Sequence, residues 1–271
     1  MKYGPTGIAK CAVRTLIYYR SIDKMKLLKF PKNLIIGKNN YIESSVKICE
    51  NVVIGDNNKI YDGTVIYPNT KIGNNNVILN NNILGEHPVN AKVNFKEKVF
   101  GGLEIGNDNF FHVNNLIFNG YSKKTLIGNN NKLLAESHVG HDTDIHNNVV
   151  LYPRVITGGL TTLMDFSTLG MYSSIQQNSV LGSYSMVGMG NHVSHNVFPF
   201  FIYLNRTYLR LNTAKIPEEL HMNKYENELI NLISDLKQNN CDKELVRKYN
   251  LPDNISAHVY NFINHITINK I

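Results

Sequence analysis

LLAESHVGHDTDIHNNVVLYPRVITGG, residues 133–159, decides the fold. It lies in a run where an aliphatic residue returns at every sixth position: Ile127, Leu133, Val139, Ile145 and Leu151, then Leu163, Leu169, Ile175, Leu181, Val187 and Val193. Helices repeat near 3.6 residues and half-buried strands at 2. A six-residue period is the mark of a parallel β-helix, in which each short strand forms one side of a coil. His138 and His141 then sit on a rigid solenoid wall, beside Asp142.

Working outward, the same period runs upstream through Ile36, Ile42, Ile48, Ile54, Ile60, Ile66, Ile72, Ile78 and Leu84. Its turns are written in Gly and Asn (IGKNN, IGDNN, IGNNN), residues that tolerate left-handed backbone angles. The period breaks at 85–102 (GEHPVNAKVNFKEKVFGG), resumes at Ile105, Phe111 and Ile117, and breaks again at 119–125 (NGYSKKT). Interruptions of a solenoid become loops on one face, often the binding face. Their place just before the histidine segment points to a site rather than to tolerated surface insertions.

Residues 1–30 are basic and apolar with helix-like spacing at Ile8, Ala12, Leu16 and Ile17. They read as a helical cap over the open solenoid end, with peripheral membrane contact as the alternative use of a basic amphipathic helix. The β-helix is expected over 31–200, followed by a helical region over 201–271. Within it Leu220, Tyr225, Leu229, Leu232, Ile233 and Leu236 form the apolar face of a helix in 217–240, with further helices near Asp242 to Tyr249 and from Ala257 onward.

The chain has 271 residues, enough to bury a core without disulfides. Cys11, Cys49 and Cys241 are scattered, which excludes a disulfide framework and a thiolate zinc site. A net charge of +7 favours acidic partners, whether nucleotides, phosphorylated cofactors, an acidic carrier protein, nucleic acid or an anionic membrane, and charge alone does not choose among them. No apolar run spans a bilayer, and Lys10, Arg14 and Arg20 interrupt any secretion signal. A cytoplasmic protein is expected.

A carboxylate bonded to one imidazole nitrogen fixes the tautomer and raises the basicity of the other, which a general base needs. The His141-Asp142 pair could therefore deprotonate a hydroxyl or amine for attack on a thioester. Two other readings stand beside this one. A non-enzymatic scaffold would leave these histidines as surface residues. A zinc site resembling that of a left-handed β-helix carbonic anhydrase would use His141 and His146 with a third histidine from a distant coil, for which His112 is the upstream candidate. There is no P-loop or Rossmann glycine pattern and no aromatic-basic platform for nucleic acid.

Ser137-His138-Val139-Gly140-His141-Asp142, the hexapeptides after it, and Leu181-Gly182-Ser183 through Pro199 to Asn205 resemble the UDP-N-acetylglucosamine O-acyltransferases that begin lipid A synthesis. Gly85-Glu86-His87-Pro88 through Leu103-Glu104-Ile105-Gly106 is similar to that family's loop insertion. The resemblance covers roughly 35–212, and the C-terminal helices match only in kind. It implies a left-handed parallel β-helix, assembled as a homotrimer with active sites between subunits, against the usual right-handed crossover preference.

By the same resemblance His141 is the general base, Asp142 its orienting partner, and the N–H of Gly159 the oxyanion donor, one 18-residue coil away. His138, Lys92 and Gln177 match acceptor contacts, and Asn205 matches an asparagine near the solenoid end. Asn90 stands where the family has aspartate, and Leu160 and Gln176 where it has histidines. Met189 matches a channel position that is often glycine, which favours a shorter acyl chain.

The expectation is an acyltransferase with no bound cofactor. It would move an acyl group from acyl carrier protein or coenzyme A to a nucleotide-linked sugar for cell-envelope glycan or lipid synthesis. Its site residues are His141, Asp142, Gly159, Asn90, Lys92, His138, Gln176, Gln177, Met189 and Asn205, with no metal and no nucleic acid.

Overall fold

The computed structural model describes residues 31–88, 101–205, 207–239 and 241–268. The cap and membrane readings of residues 1–30 fall outside these, as do Asn90 and Lys92.

Most strands are two residues long, one side chain facing in and one out, and the chain turns before a third can be added. Most strands pair in parallel with one 18 positions on, as Ile35 with Val53 and Ile36 with Ile54. Three sheets of eight, ten and eight strands result. They form the sides of a left-handed parallel β-helix of about nine turns. The first sheet begins with Ile35–Ile36, the second with Tyr41–Ile42 and the third with Lys47–Ile48.

The six-residue aliphatics fill the interior. Ile60, Ile66, Ile78, Leu84, Leu133 and Val139 have no exposed surface. At about 25 cal/mol per Å2, this stack is the main apolar contribution to stability. Inside one corner Asn58, Asn76, Asn109 and Asn131 each donate a backbone N–H to the asparagine Oδ1 one coil earlier, at 2.8–2.9 Å. The ladder satisfies buried polar groups that the corners would otherwise orphan.

The corners use left-handed backbone at Asn51, Asn57, Asn75 and Asn148, where it is tolerated, and at Arg154, Leu160, Phe166 and Tyr172, where side chains resist it. Stacking helps the latter: Arg154 bonds Glu136 at 2.5 Å and also the Tyr172 hydroxyl, and Phe166 stacks on Tyr184 at 4.7 Å.

Both breaks in the period leave from the corner between the third and first sheets. Ile72 pairs with Ile105, 33 positions on, and Ile105 with Ile127, 22 on, so fifteen and then four residues leave the coil. The register slips at Gly85, since Ile117 pairs with Leu84 but Phe118 with Glu86, the last residue of the strand Ile83–Glu86.

The solenoid also runs past residue 200. Phe201–Leu204 pairs in parallel with Met186–Val187, and Thr207–Leu211 folds back antiparallel on it. Helix α1 (Glu226–Gln238) and helix α2 (Asp253–Ile268) then cover the first sheet's C-terminal end. Leu229, Leu232, Ile233 and Leu236 of the expected apolar face are buried. The short helix expected near Asp242 to Tyr249 is a 3-10 helix, Lys243–Lys248. No described helix is long and apolar enough to cross a membrane.

Candidate active site

The strand His138–Val139 ends at the corner between the third and first sheets, and His141 and Asp142 make that corner. Gly159 occupies it one coil later and Gln177 one coil after that, at strand spacings of about 4.8 Å. The fold thus brings His138, His141, Asp142, Gly159, Gln176 and Gln177 to one edge of the solenoid.

His141 Nδ1 lies 2.7 Å from Asp142 Oδ2. An ionised carboxylate only accepts, so Nδ1 carries the proton and Nε2 the lone pair. The ring is 25% exposed and lies over Gly159. A Cβ at Gly159 would stand 2.7 Å from His141 Nε2 and Cε1, a separation real Cβ atoms do not show. Only glycine fits beneath the imidazole. Gly159 N–H has no acceptor among the described residues, while Gly158 N–H bonds Ile175 O and Leu160 N–H bonds His141 O, both at 2.8 Å. One backbone donor is therefore left over beside the basic nitrogen.

The Asp142 side chain is 1% exposed. Its Oδ1 accepts the backbone N–H groups of Tyr121, Ser122 and Lys123 at 2.9, 2.9 and 2.7 Å. Successive N–H groups converging on one oxygen make an anion nest. Burial pushes the carboxyl pKa up, but the Lys123 N–H, His141 and the Ser122 N–H outweigh it, and the pKa lies below the usual carboxylate value.

The sign of the pH dependence follows. A depressed folded pKa gives stability that is present above the unfolded value and is lost as pH falls through the folded one. As pH falls below about 5, denaturation midpoints should drop more steeply for the wild type than for Asp142→Asn. Parallel curves would contradict the assignment.

His138 points outward on the third sheet, its ring edge-on to Phe118 at 5.1 Å. Burial pushes its pKa down. Near neutral pH it is an uncharged imidazole, suited to a hydroxyl or carbonyl rather than to a phosphate charge. Gln176 and Gln177 are exposed.

Met189, 68% exposed, and Asn205 lie elsewhere, at the corner between the second and third sheets. Asn205 N–H bonds Asn191 Oδ1 at 2.8 Å, and Asn191 Nδ2 bonds Met189 O at 3.0 Å. The two groups of expected site residues thus stand on opposite edges of the third sheet's outer face.

Among the described residues of one chain, His141 and His146 are not brought together with a third histidine. The strand Asp144–Ile145 separates His141 from His146, which packs on His265 of α2 at 5.5 Å. Among the described residues no three His, Cys, Asp or Glu could hold a metal ion together.

Sequence reasoning missed the nest residues Tyr121, Ser122 and Lys123, because backbone donors have no side-chain signature. It also missed Thr157, which is buried at an inward position and accepts Gly140 N–H at 3.1 Å through Oγ1. The signal there was the skipped aliphatic between Leu151 and Leu163.

The family description "Bacterial transferase hexapeptide (six repeats)" matches residues 33–67 and 51–86. Over 123 residues the chain is 37% identical to the acyl-(acyl-carrier-protein)–UDP-N-acetylglucosamine O-acyltransferase of Nautilia profundicola, covering 44% of this chain and 46% of that one. Over 76 residues it is 38% identical to the enzyme of the same name from Sinorhizobium fredii, covering 28% of each. The chain thus spans less than half the length of these curated relatives.

Among solved structures, a UDP-N-acetylglucosamine acyltransferase from Bacteroides fragilis superposes with a TM-score of 0.63 at 26% identity, over 86% of this chain and 97% of that one. The one from Campylobacter jejuni gives 0.74 at 22% identity, over 85% and 91%, a likeness of fold. The chain carries hexapeptide repeats of the bacterial transferase type at 33–86, and it is similar to UDP-N-acetylglucosamine acyltransferases in sequence over less than half its length and in fold over most of it.

Proposed function

We propose that the chain transfers an acyl group from an acyl-carrier-protein thioester, or from acyl-coenzyme A, to a hydroxyl or amine of a nucleotide-linked sugar of the UDP-N-acetylglucosamine type. The observation that carries this reading is the juxtaposition of His141 Nε2 with the unengaged N–H of Gly159, 18 residues apart in sequence and neighbours in space. The curated relatives, named for this reaction, support it.

His141 Nε2 takes the proton of the acceptor as its oxygen or nitrogen attacks the thioester carbonyl carbon. Asp142 stabilises the imidazolium that forms. The carbonyl oxygen becomes an oxyanion, for which Gly159 N–H is the donor, a contribution of roughly 3 kcal/mol to the barrier. When the tetrahedral centre collapses the C–S bond breaks, and the imidazolium returns its proton to the thiolate. The chain's net charge of +7 suits two anionic substrates, and both belong to the cytoplasm.

The reading includes a homotrimer. Within one chain Met189 and Asn205 are across the third sheet's face from His141, and a second copy packed on that face would bring them towards a neighbour's base. The exposed Ile156, Met171, Tyr172 and Met189 supply an apolar surface for such packing. In that arrangement Met189 narrows the acyl groove in favour of shorter chains, and Gln176 and Gln177 contact the acceptor.

The test follows thiol release from acyl-carrier-protein and acyl-coenzyme A donors of graded chain length against UDP- and dTDP-linked sugars. Release that depends on an acceptor sugar is expected, with short acyl chains preferred. Release with no acceptor dependence, or none with any pair and no binding of the sugar nucleotides, would overturn the reading.

A further inference from the structure

At the corners, the left-handed residue donates its N–H to a backbone carbonyl of the preceding coil: Asn148 to Asn129 O at 3.0 Å, Arg154 to Ala135 O at 2.9 Å, Leu160 to His141 O at 2.8 Å. Asp142 departs from this pattern. Its φ is 58°, like the others, but its N–H donates to the side chain of Thr125, at 2.9 Å from Oγ1. The carbonyl that would have served has been carried away by the four-residue excursion in the coil below.

That excursion is tightly closed. Gly120 N–H bonds Gly102 O at 3.1 Å, Gly101 N–H bonds Gly120 O at 2.9 Å, and Thr125 N–H bonds Gly102 O at 3.1 Å. A Cβ on Gly120 would fall 1.6 Å from Lys123 O, so only glycine permits the turn. The turn aims the Tyr121, Ser122 and Lys123 N–H groups at one point, and that point is Asp142 Oδ1.

We propose that the 120–125 excursion is a holder for the Asp142 carboxylate and that Thr125 is a positioning residue for the base. The nest occupies Oδ1 and the Thr125 hydroxyl fixes the Asp142 backbone, so Oδ2 alone is turned to His141. Four hydrogen bonds made without substrate thereby set the tautomer and the direction of Nε2 before any ligand arrives. This rests on the reading of His141 as the base. Thr125 is buried and touches no reacting atom.

Thr125→Val keeps the shape and removes the acceptor, and Thr125→Ser keeps the hydroxyl. For Thr125→Val the expected result is a kcat lowered roughly 10- to 100-fold, the scale on which small misplacements of catalytic groups act, with both KM values unchanged. Thr125→Ser should return most of the activity. Nitrogen NMR of labelled histidine should show His141 held as the Nδ1–H tautomer in the wild type and in Thr125→Ser, and a mixture in Thr125→Val.

Wild-type kcat and an unaltered tautomer in folded Thr125→Val would overturn the proposal. So would a kcat loss that Thr125→Ser does not recover. His141→Ala, assayed in parallel, separates the two levels. If it is inactive while Thr125→Val is normal, only the positioning role falls; if it is fully active, the base assignment itself falls.

Discussion

Replacing His141 by alanine lowers kcat for acyl transfer about 1000-fold, within the range expected when a general base is removed. The imidazole brings a ring nitrogen not engaged by Asp142, Nε2, to the corner beside Gly159. Asp142 cannot substitute for it. That carboxylate is 1% exposed and is bound through both oxygens, to the nest and to the ring. Removing the ring also leaves Asp142 Oδ2 without its partner, so stability should fall as well, by about 1–3 kcal/mol. The check is steady-state thiol release on protein whose β-structure and melting transition are first confirmed. Turnover within tenfold of wild type would exclude His141 as the base.

Gly159→Ala should cost nearly as much, about 100- to 1000-fold in kcat, although it alters neither the base nor the number of N–H donors. The added methyl would sit 2.7 Å from Nε2 and Cε1 of His141. The ring cannot yield by a small tilt, because its Nδ1 is held 2.7 Å from Asp142 and Asp142 is held by three N–H groups. Either the imidazole swings off its carboxylate or the Gly159 peptide moves away from the oxyanion position. Both outcomes separate base from donor. KM for the acceptor should move little, so the effect falls on kcat, and stopped assays with a saturating acceptor would show it. A KM effect alone would mean that the corner binds substrate without assembling the transition state.

The three variants report on different links of one chain of contacts. His141→Ala tests the proton acceptor, Gly159→Ala tests its alignment with the donor, and Thr125→Val tests what holds the alignment in place.

Much of this was legible in the residue order. The return of an aliphatic every six positions forces a short strand and a corner in each repeat, since only that geometry turns one residue in six to a common interior. Asn and Gly at the corners agree with it, because they accept the left-handed backbone the corners require. The adjacency of His141 and Asp142, and the coil-length separation of Gly159, fix their stacking once the repeat is known. Interruptions of the period located both excursions, the first announced by the register slip at Gly85.

Other features depended on the folded chain. That Asp142 is held from below by Tyr121, Ser122 and Lys123 is invisible in sequence, since backbone N–H groups are common to nearly every residue and only their convergence makes a site. The separation of Met189 and Asn205 from His141 was hidden too, because residues close in repeat number can stand on different corners. The strand Thr207–Leu211, which carries the second sheet beyond the repeat, gave no six-residue signal. The sequence by itself determined the solenoid and the His-Asp corner, because periodicity and adjacency are local properties that survive into the fold. Tertiary structure alone decided which side chain lies over Gly159, which oxygen of Asp142 meets the ring, and which edge each residue occupies, because those depend on contacts between coils.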